Sequence, residues 1–333
     1  MGEFALVRAA HLLLYVDVLR DVGVPVDRLL DQSRLPSTIE EAPDAYVSVD
    51  LSLDWVARSN RDVEPMELGF LAARGLSFDT LCQPFRTSLL AAPTGLARLQ
   101  IFLRLALRED SALRTCLYRD GGGVRVVCDI EGFGRHPHVF FGEWLNLHAA
   151  IMVIRSVAGP TWCPEEMTFV SQGQPPEGLL EAMPDTRVLL GRRHTSVLVR
   201  PSLLVPGLAQ DAPASAAGSG SDHDGWTLIS GLRAAIRPYV GDTHPALSLA
   251  AEVMGVRPRT LQRHLRARGY TYTQIVEEVR FQIARDLLAE SSVKIIDVAM
   301  MTGYQNPQHF SRAFRRFSGM TPSTYRNSLA QVD

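Results

Sequence analysis

Two small sets of side chains near the C-terminal end share one chemistry. Arg259, Gln262 and Arg263 fall within about one helical turn, and Gln308, His309 and Arg312 repeat the arrangement further along. A guanidinium offers a planar fork of donors that fits the O6/N7 edge of guanine, and a glutamine carboxamide fits the N6/N7 edge of adenine. Around these sets lie Arg257, Thr260, Arg266, Asn306, Ser311, Arg315 and Arg316, whose charges and donors suit phosphate oxygens. A surface arginine taken alone is more often a solvated charge than a base reader. Arg263 and Arg312 differ from that average because they occupy equivalent places in a repeated unit. His309 is open to both readings, a groove contact or a solvent-facing ring. Lys294, the chain's sole lysine, suits a phosphate contact or solvent better than base reading.

The elements that would position these residues are two helix-turn-helix patterns. In the first, Leu249, Val253 and Met254 recur at helical spacing, Gly255 supplies a turn, and Pro258 stands where a first helical residue needs no N–H. Leu261 and Leu265 then face inward, which turns the Arg/Gln set outward. In the second, Ile295, Ile296, Val298 and Ala299 mark a short helix, Gly303-Tyr304 the turn, Asn306 an N-cap and Pro307 the first helical position. Phe310, Phe314 and Phe317 are expected to form its buried stripe. Residues 272–289 read as one connecting helix with Ile275, Val279, Ile283, Leu287 and Leu288 inward and Glu277, Glu278, Arg280 and Asp286 outward. At about 1.5 Å per residue it would reach ~27 Å. Successive major-groove faces lie ~34 Å apart, so bound DNA is expected to bend, or one helix to insert incompletely.

This tail resembles the DNA-binding domain of the AraC/XylS family of bacterial transcription regulators. The resemblance rests on Leu249-Ala-Ala-Glu-Val-Met-Gly-Val-Arg-Pro-Arg-Thr-Leu-Gln-Arg-His-Leu265, on Arg280-Phe-Gln-Ile-Ala-Arg-Asp-Leu-Leu288, and on Ile296-Asp-Val-Ala299 with Gly303-Tyr304. Phe310-Ser-Arg-Ala-Phe-Arg-Arg-Phe317 and Gly319-Met-Thr-Pro322 complete it. It implies that Arg259, Gln262 and Arg263, and then Gln308, His309 and Arg312, are the base-reading positions. Arg257 stands where the family usually has a Ser cap, and His264 where it often has Phe, so the first unit is expected to be less well capped.

Composition supports a division of labour. The chain carries a net charge of −2, but residues 226–333 hold fourteen Arg/Lys against eight Asp/Glu, while the rest holds twenty against twenty-eight. Only the positive tail is suited to a polyanion. No run approaches the ~20 apolar residues needed to span a bilayer, and the first residues lack a signal-peptide pattern. A cytoplasmic protein without membrane contact is expected. Cys82, Cys116, Cys128 and Cys163 are scattered, consistent with reduced, mostly buried thiols and no zinc site. His136 and His138 flank Pro137 without a nearby Cys or acidic partner and read as loop residues.

Residues 209–225, rich in Ala, Gly, Ser and Asp, read as a flexible linker. They separate an α+β N-terminal domain (1–208) from an all-α C-terminal domain (226–333) that contains both helix-turn-helix units and begins with a helix over 226–239. The front region shows helical patterns at 11–20, 51–59, 65–74, 93–107 and 140–157, a second short helix capped by Asp27, and a hairpin about Gly121-Gly-Gly123. Short strands are expected at 167–171, 188–190 and 196–199.

That order resembles the arabinose-binding-like sensor domain found ahead of the same tail in some regulators. Glu67-Leu-Gly69, Ala92-Pro-Thr-Gly-Leu96, Pro164-Glu-Glu-Met-Thr-Phe169 and Leu203-Leu-Val-Pro206 carry the resemblance. It implies a small organic effector, a homodimer, or both, with promoter DNA and, for an activator, RNA polymerase as partners. Trp144, His148 and Arg155 lie on one side of a helix and are the candidate effector contacts, an Arg or His in an apolar cavity suiting a carboxylate. The alternative is a front domain that only dimerises or binds a protein. Catalysis is not expected: Cys82 and Cys116 lack an elbow glycine, and no Gly-x-Ser-x-Gly or phosphate-loop motif is present. Glu40-Glu41 and Glu165-Glu166 are adjacent pairs whose side chains diverge, so they read as solvated. No catalytic residue, metal or cofactor is assigned.

Overall fold

The computed structural model describes residues 4–131, 138, 140–204, 226–241, 244–290 and 293–329. The expected linker 209–225, His136 and the last two residues of Leu203-Leu-Val-Pro206 lie outside them. The chain divides into two compact units: residues 49–225 with the N-terminal 35, and residues 226–333 with the segment Pro36–Ser48.

In the first unit, β1 (Leu6–Arg8) leads into α1 (Ala9–Asp21) and α2 (Val26–Asp31). Asp27 does not cap α2. It sits inside the first turn, where its carboxylate accepts from Arg20 at 2.9 Å, and Pro25 holds the cap position. Within the second unit, β2 (Tyr46–Ser48) brings the Tyr46 ring edge-on to Trp226 at 4.6 Å. The first unit resumes with α3 (Val49–Ser59), α4 (Pro65–Arg74), α5 (Gln83–Ala91) and α6 (Gly95–Leu105). Thr94 starts α6 by accepting from Ala97 N at 3.2 Å, the capping expected of a hydroxyl at that position.

The hairpin β3 (Leu113–Asp120) and β4 (Gly123–Ile130) turns at Gly121, which adopts φ 59°. Positive φ is cheap only without a side chain. Beyond it come α7 (Phe140–Ala158), β5 (Glu166–Thr168), α8 (Leu179–Ala182), β6 (Arg187–Leu189), β7 (Ser196–Val199) and α9 (Pro201–Leu204). Among the described residues the larger sheet has five strands in the order β3-β4-β7-β5-β6, antiparallel except β5 with β6. The long helix α7 packs against α4, α6 and β4. Its Trp144 is fully buried between Phe70 at 5.1 Å and Phe169 at 4.5 Å.

One carboxylate expected in solvent lies inside. Glu166 is buried and accepts from Arg125 at 2.7 Å and from Arg187, because β5 sits between β6 and β7 rather than at an edge. Glu165 follows the expectation and pairs with Arg200 at the surface. Of the four thiols only Cys128 is buried; Cys116 is exposed because it points away from the covered face of β3. No helix among the described residues is long and apolar enough to cross a membrane.

The second unit is helical apart from β2. It comprises α10 (Leu228–Ile236), α11 (Leu247–Val253), α12 (Pro258–Arg266), α13 (Tyr272–Ala289), α14 (Ile295–Met301), α15 (Pro307–Ser318) and α16 (Pro322–Leu329). α13 starts with a reciprocal cap: Thr271 N donates to Gln274 Oε1 at 2.8 Å, and Gln274 N donates to Thr271 Oγ1 at 3.3 Å. One cluster gathers Ala284, Leu288, Val298, Ala299, Phe310 and Phe314, uniting α13, α14 and α15.

Candidate nucleic-acid interface

In the first helix-turn-helix, Gly255 adopts φ 62° and Val256 N donates back to Ala251 O at 2.9 Å. This tight reversal sets α12 across α11. Leu261 and Leu265 of α12 are buried, so the positions between them point outward. Arg257, Arg259, Gln262, Arg263 and Arg266 are exposed, and Thr260 is half-buried. Arg257 occupies the cap position without a side-chain hydrogen bond, as its replacement of a hydroxyl residue implies.

The second unit repeats this construction. Gly303 adopts φ 77°, and Tyr304 N donates to Ala299 O at 2.9 Å. Asn306 caps α15 through Oδ1, which accepts from Gln308 N at 2.8 Å, leaving its amide nitrogen as the group available for an outside acceptor. Phe310 and Phe314 are buried, while Gln308, His309, Arg312, Arg315 and Arg316 are exposed and Ser311 is half-buried. Phe317 departs from the expected buried stripe: it is 38% exposed, stacked on Phe281 at 5.2 Å with Arg316 over its ring. It lies one turn past the point where α15 leaves the α13–α14 core. Among the described residues, the side chains of Arg259, Gln262, Arg263, Gln308, His309 and Arg312 make no intramolecular hydrogen bond or ion pair.

The connector's polar residues are not simply solvated. Glu277 accepts from Arg316 at 2.6 Å, Glu278 from Arg233 Nε at 3.0 Å, and Asp286 from Arg237 at 2.8 Å. Each ties α13 to another element of the tail, because the connector is flanked on several sides rather than exposed along one face. Arg280, expected to point outward, is half-buried instead, with its guanidinium 5.0 Å from the Tyr304 ring centre and close beneath Gly303. The lack of a side chain at Gly303 is the one local sign that something must pass there.

The three candidate effector contacts are dispersed. Trp144 is core. Burial, and behind it the charge of Arg155, pushes the His148 ring down to about 4, so it is neutral near pH 7. Arg155 donates to the Trp162 carbonyl at 2.8 Å and lines an open cleft with Cys163, Glu165 and Arg200. None of the three lines the cavity of about 80 Å³ that lies among α1, α3, α6 and α7.

Residues 250–328 match a family of helix-turn-helix domains. The chain is 33% identical over 101 residues to the ornithine utilization regulator of Pseudomonas aeruginosa, a match covering 30% of this chain and 30% of that regulator. The similarity thus spans less than a third of that regulator's own length. Over nearly the whole chain, 97% of it and 96% of the other, it is 23% identical to the HTH-type transcriptional regulator VirS of Mycobacterium tuberculosis. The crystal structure of the transcriptional regulator CdpR from Pseudomonas aeruginosa covers 95% of this chain and 96% of its own, with 21% identity and a TM-score of 0.42.

Proposed function

From a C-terminal region that is an AraC-type helix-turn-helix DNA-binding domain, we propose that the whole chain is a sequence-specific transcriptional regulator. α12 and α15 read base edges through Arg259, Gln262 and Arg263 and through Gln308, His309 and Arg312. Arg257, Thr260, Arg266, Asn306, Ser311, Arg315 and Arg316 hold the phosphate backbone. The observation that carries this reading is the repetition: two uncommitted Arg/Gln-bearing faces, each exposed by the burial of its helix's opposite side. The N-terminal domain, residues 1–208, senses a small effector, dimerises, or both, and a homodimer in the cytoplasm is the working form. RNA polymerase is the partner where the outcome is activation.

The test is selection of genomic fragments by the full-length protein, followed by footprinting. The expected result is an enriched sequence protected at two elements about one helical repeat, ~10 bp, apart. Protection without any enriched sequence would refute base reading.

A further inference from the structure

The cavity in the first unit is apolar along most of its wall and polar at one end. Leu12, Leu53, Val56, Phe85, Phe102 and Leu145 contribute to the apolar part; His11, Glu109 and Asp110 cluster at the other. Glu109 is fully engaged, accepting from Arg8 at 2.7 Å, from His11 Nε2 at 2.9 Å and from Cys82 N at 2.8 Å. Asp110 accepts from Ala112 N at 2.8 Å. Tyr15, also on the wall, donates its hydroxyl to the Phe141 carbonyl. His11 is different. It is 7% exposed, and its Nδ1 is buried without a hydrogen-bond partner among the described residues.

A buried polar nitrogen left unsatisfied costs on the order of 1–3 kcal/mol, so such a group in a cavity wall marks a place for a complementary atom. The state of Glu109 fixes the other side of the ring. Burial alone would raise its carboxyl, but the His11 ring and the Arg8 guanidinium outweigh that and hold it at about 2. A carboxylate only accepts, so the proton shared with His11 resides on Nε2. Nδ1 accepts in the neutral ring and donates in the charged one, and a hydroxyl can answer either. Glu109 and Asp110 disfavour a carboxylate ligand, and the Arg8 guanidinium held on Glu109 disfavours an ammonium, which leaves an uncharged group.

We infer that this cavity is the effector site, and that it takes a short, uncharged aliphatic alcohol whose hydroxyl hydrogen-bonds to Nδ1 of His11. The inference rests on the regulator reading above. With ~15 Å³ of cavity volume for each water-sized group, a cavity of about 80 Å³ suits a chain of roughly five heavy atoms. The side chains of Leu12, Leu53, Val56 and Phe102 surround the hydrocarbon, and the buried Arg8–Glu109–His11 chain fixes the orientation of the imidazole.

The experiment uses full-length protein and three isosteric probes, 1-butanol, butyrate and n-butylammonium, followed by saturation-transfer NMR. Saturable transfer to 1-butanol, at least tenfold weaker for either ion, is expected. Ala149→Leu fills the cavity and should abolish it. Leu53→Ala enlarges the cavity and should move the preference from 1-butanol to 1-hexanol, which guards against a filled variant that merely misfolds. Saturating 1-butanol should also shift half-saturation of the footprinted DNA by threefold or more. Butyrate binding as well as 1-butanol, or transfer unchanged in both variants, overturns the site. Binding without any shift in DNA occupancy overturns the effector role. Loss of the footprint with alcohol binding intact would sink the regulator reading and leave the alcohol site standing.

Discussion

Arg316 on α15 donates to Glu277 on the connector α13 at 2.6 Å, so a residue suited to phosphate is held by a carboxylate from its own domain. Both side chains are partly in water, 60% and 31% exposed, and the pair therefore adds little stability. Its consequence is competition. Glu277→Gln removes a negative charge from the DNA-facing surface and releases Arg316. The expected result is DNA binding tightened a fewfold, and a log–log salt dependence steeper by about one unit. Fluorescence anisotropy of a labelled duplex across a salt series measures both. An unchanged slope would mean that Arg316 takes no part in binding.

Arg263→Ala and Arg312→Ala should each weaken binding to the preferred sequence by about 1–3 kcal/mol and relax the base preference at one position. Repeating the fragment selection with each variant reads this directly. Equal weakening on every sequence would reassign the residue to the phosphates.

Two turn glycines separate backbone strain from crowding. Gly303 and Gly269 have nearly the same φ, 77° and 76°, but a Cβ on Gly303 would meet Arg280 at 2.9 Å, while one on Gly269 meets nothing within 4 Å. Gly269→Ala should cost the positive-φ strain alone, about 1 kcal/mol. Gly303→Ala should cost more and disturb the Arg280–Tyr304 contact. Urea unfolding of the two variants side by side gives the difference; equal losses would mean that Arg280 yields at no cost.

Acid should loosen the first unit through Glu109. Its carboxyl is held at about 2 against an ordinary value of 4.5, so its contribution is complete above about pH 4.5 and is lost as pH falls toward 2. Glu109→Gln should lower stability at pH 7 and flatten the decline across that acid window. Unfolding curves between pH 7 and pH 3 test it, and parallel declines in parent and variant would assign acid sensitivity elsewhere.

The tail was legible because its signals are local. The apolar spacing from Ile275 to Leu288, Gly303 and the Asn306-Pro307 pair each act within a turn or two of themselves, and α13 runs over the residues that its pattern predicts. What stayed hidden depends on distant partners. Glu166 reads as solvated until β4 supplies Arg125, 41 residues away. His11 and Glu109 are 98 residues apart and meet only because α1 passes beside the turn that leads into β3. Trp144, His148 and Arg155 share a helix at favourable spacing, yet α7 is covered on several sides, so that spacing does not place them in one cavity. Phe317 continues a correct period past the end of the core it was meant to face.

The connector α13 is 18 residues long, which at 3.6 residues per turn is about five complete turns. The position just past its end therefore looks in the same direction as its first residue. Inserting one residue would lengthen it by only about 1.5 Å but would swing everything beyond it by about 100°. Rotational phase, far more than distance, is thus what this helix transmits from one helix-turn-helix to the other. Its length can change without loss of register only by steps close to a whole turn.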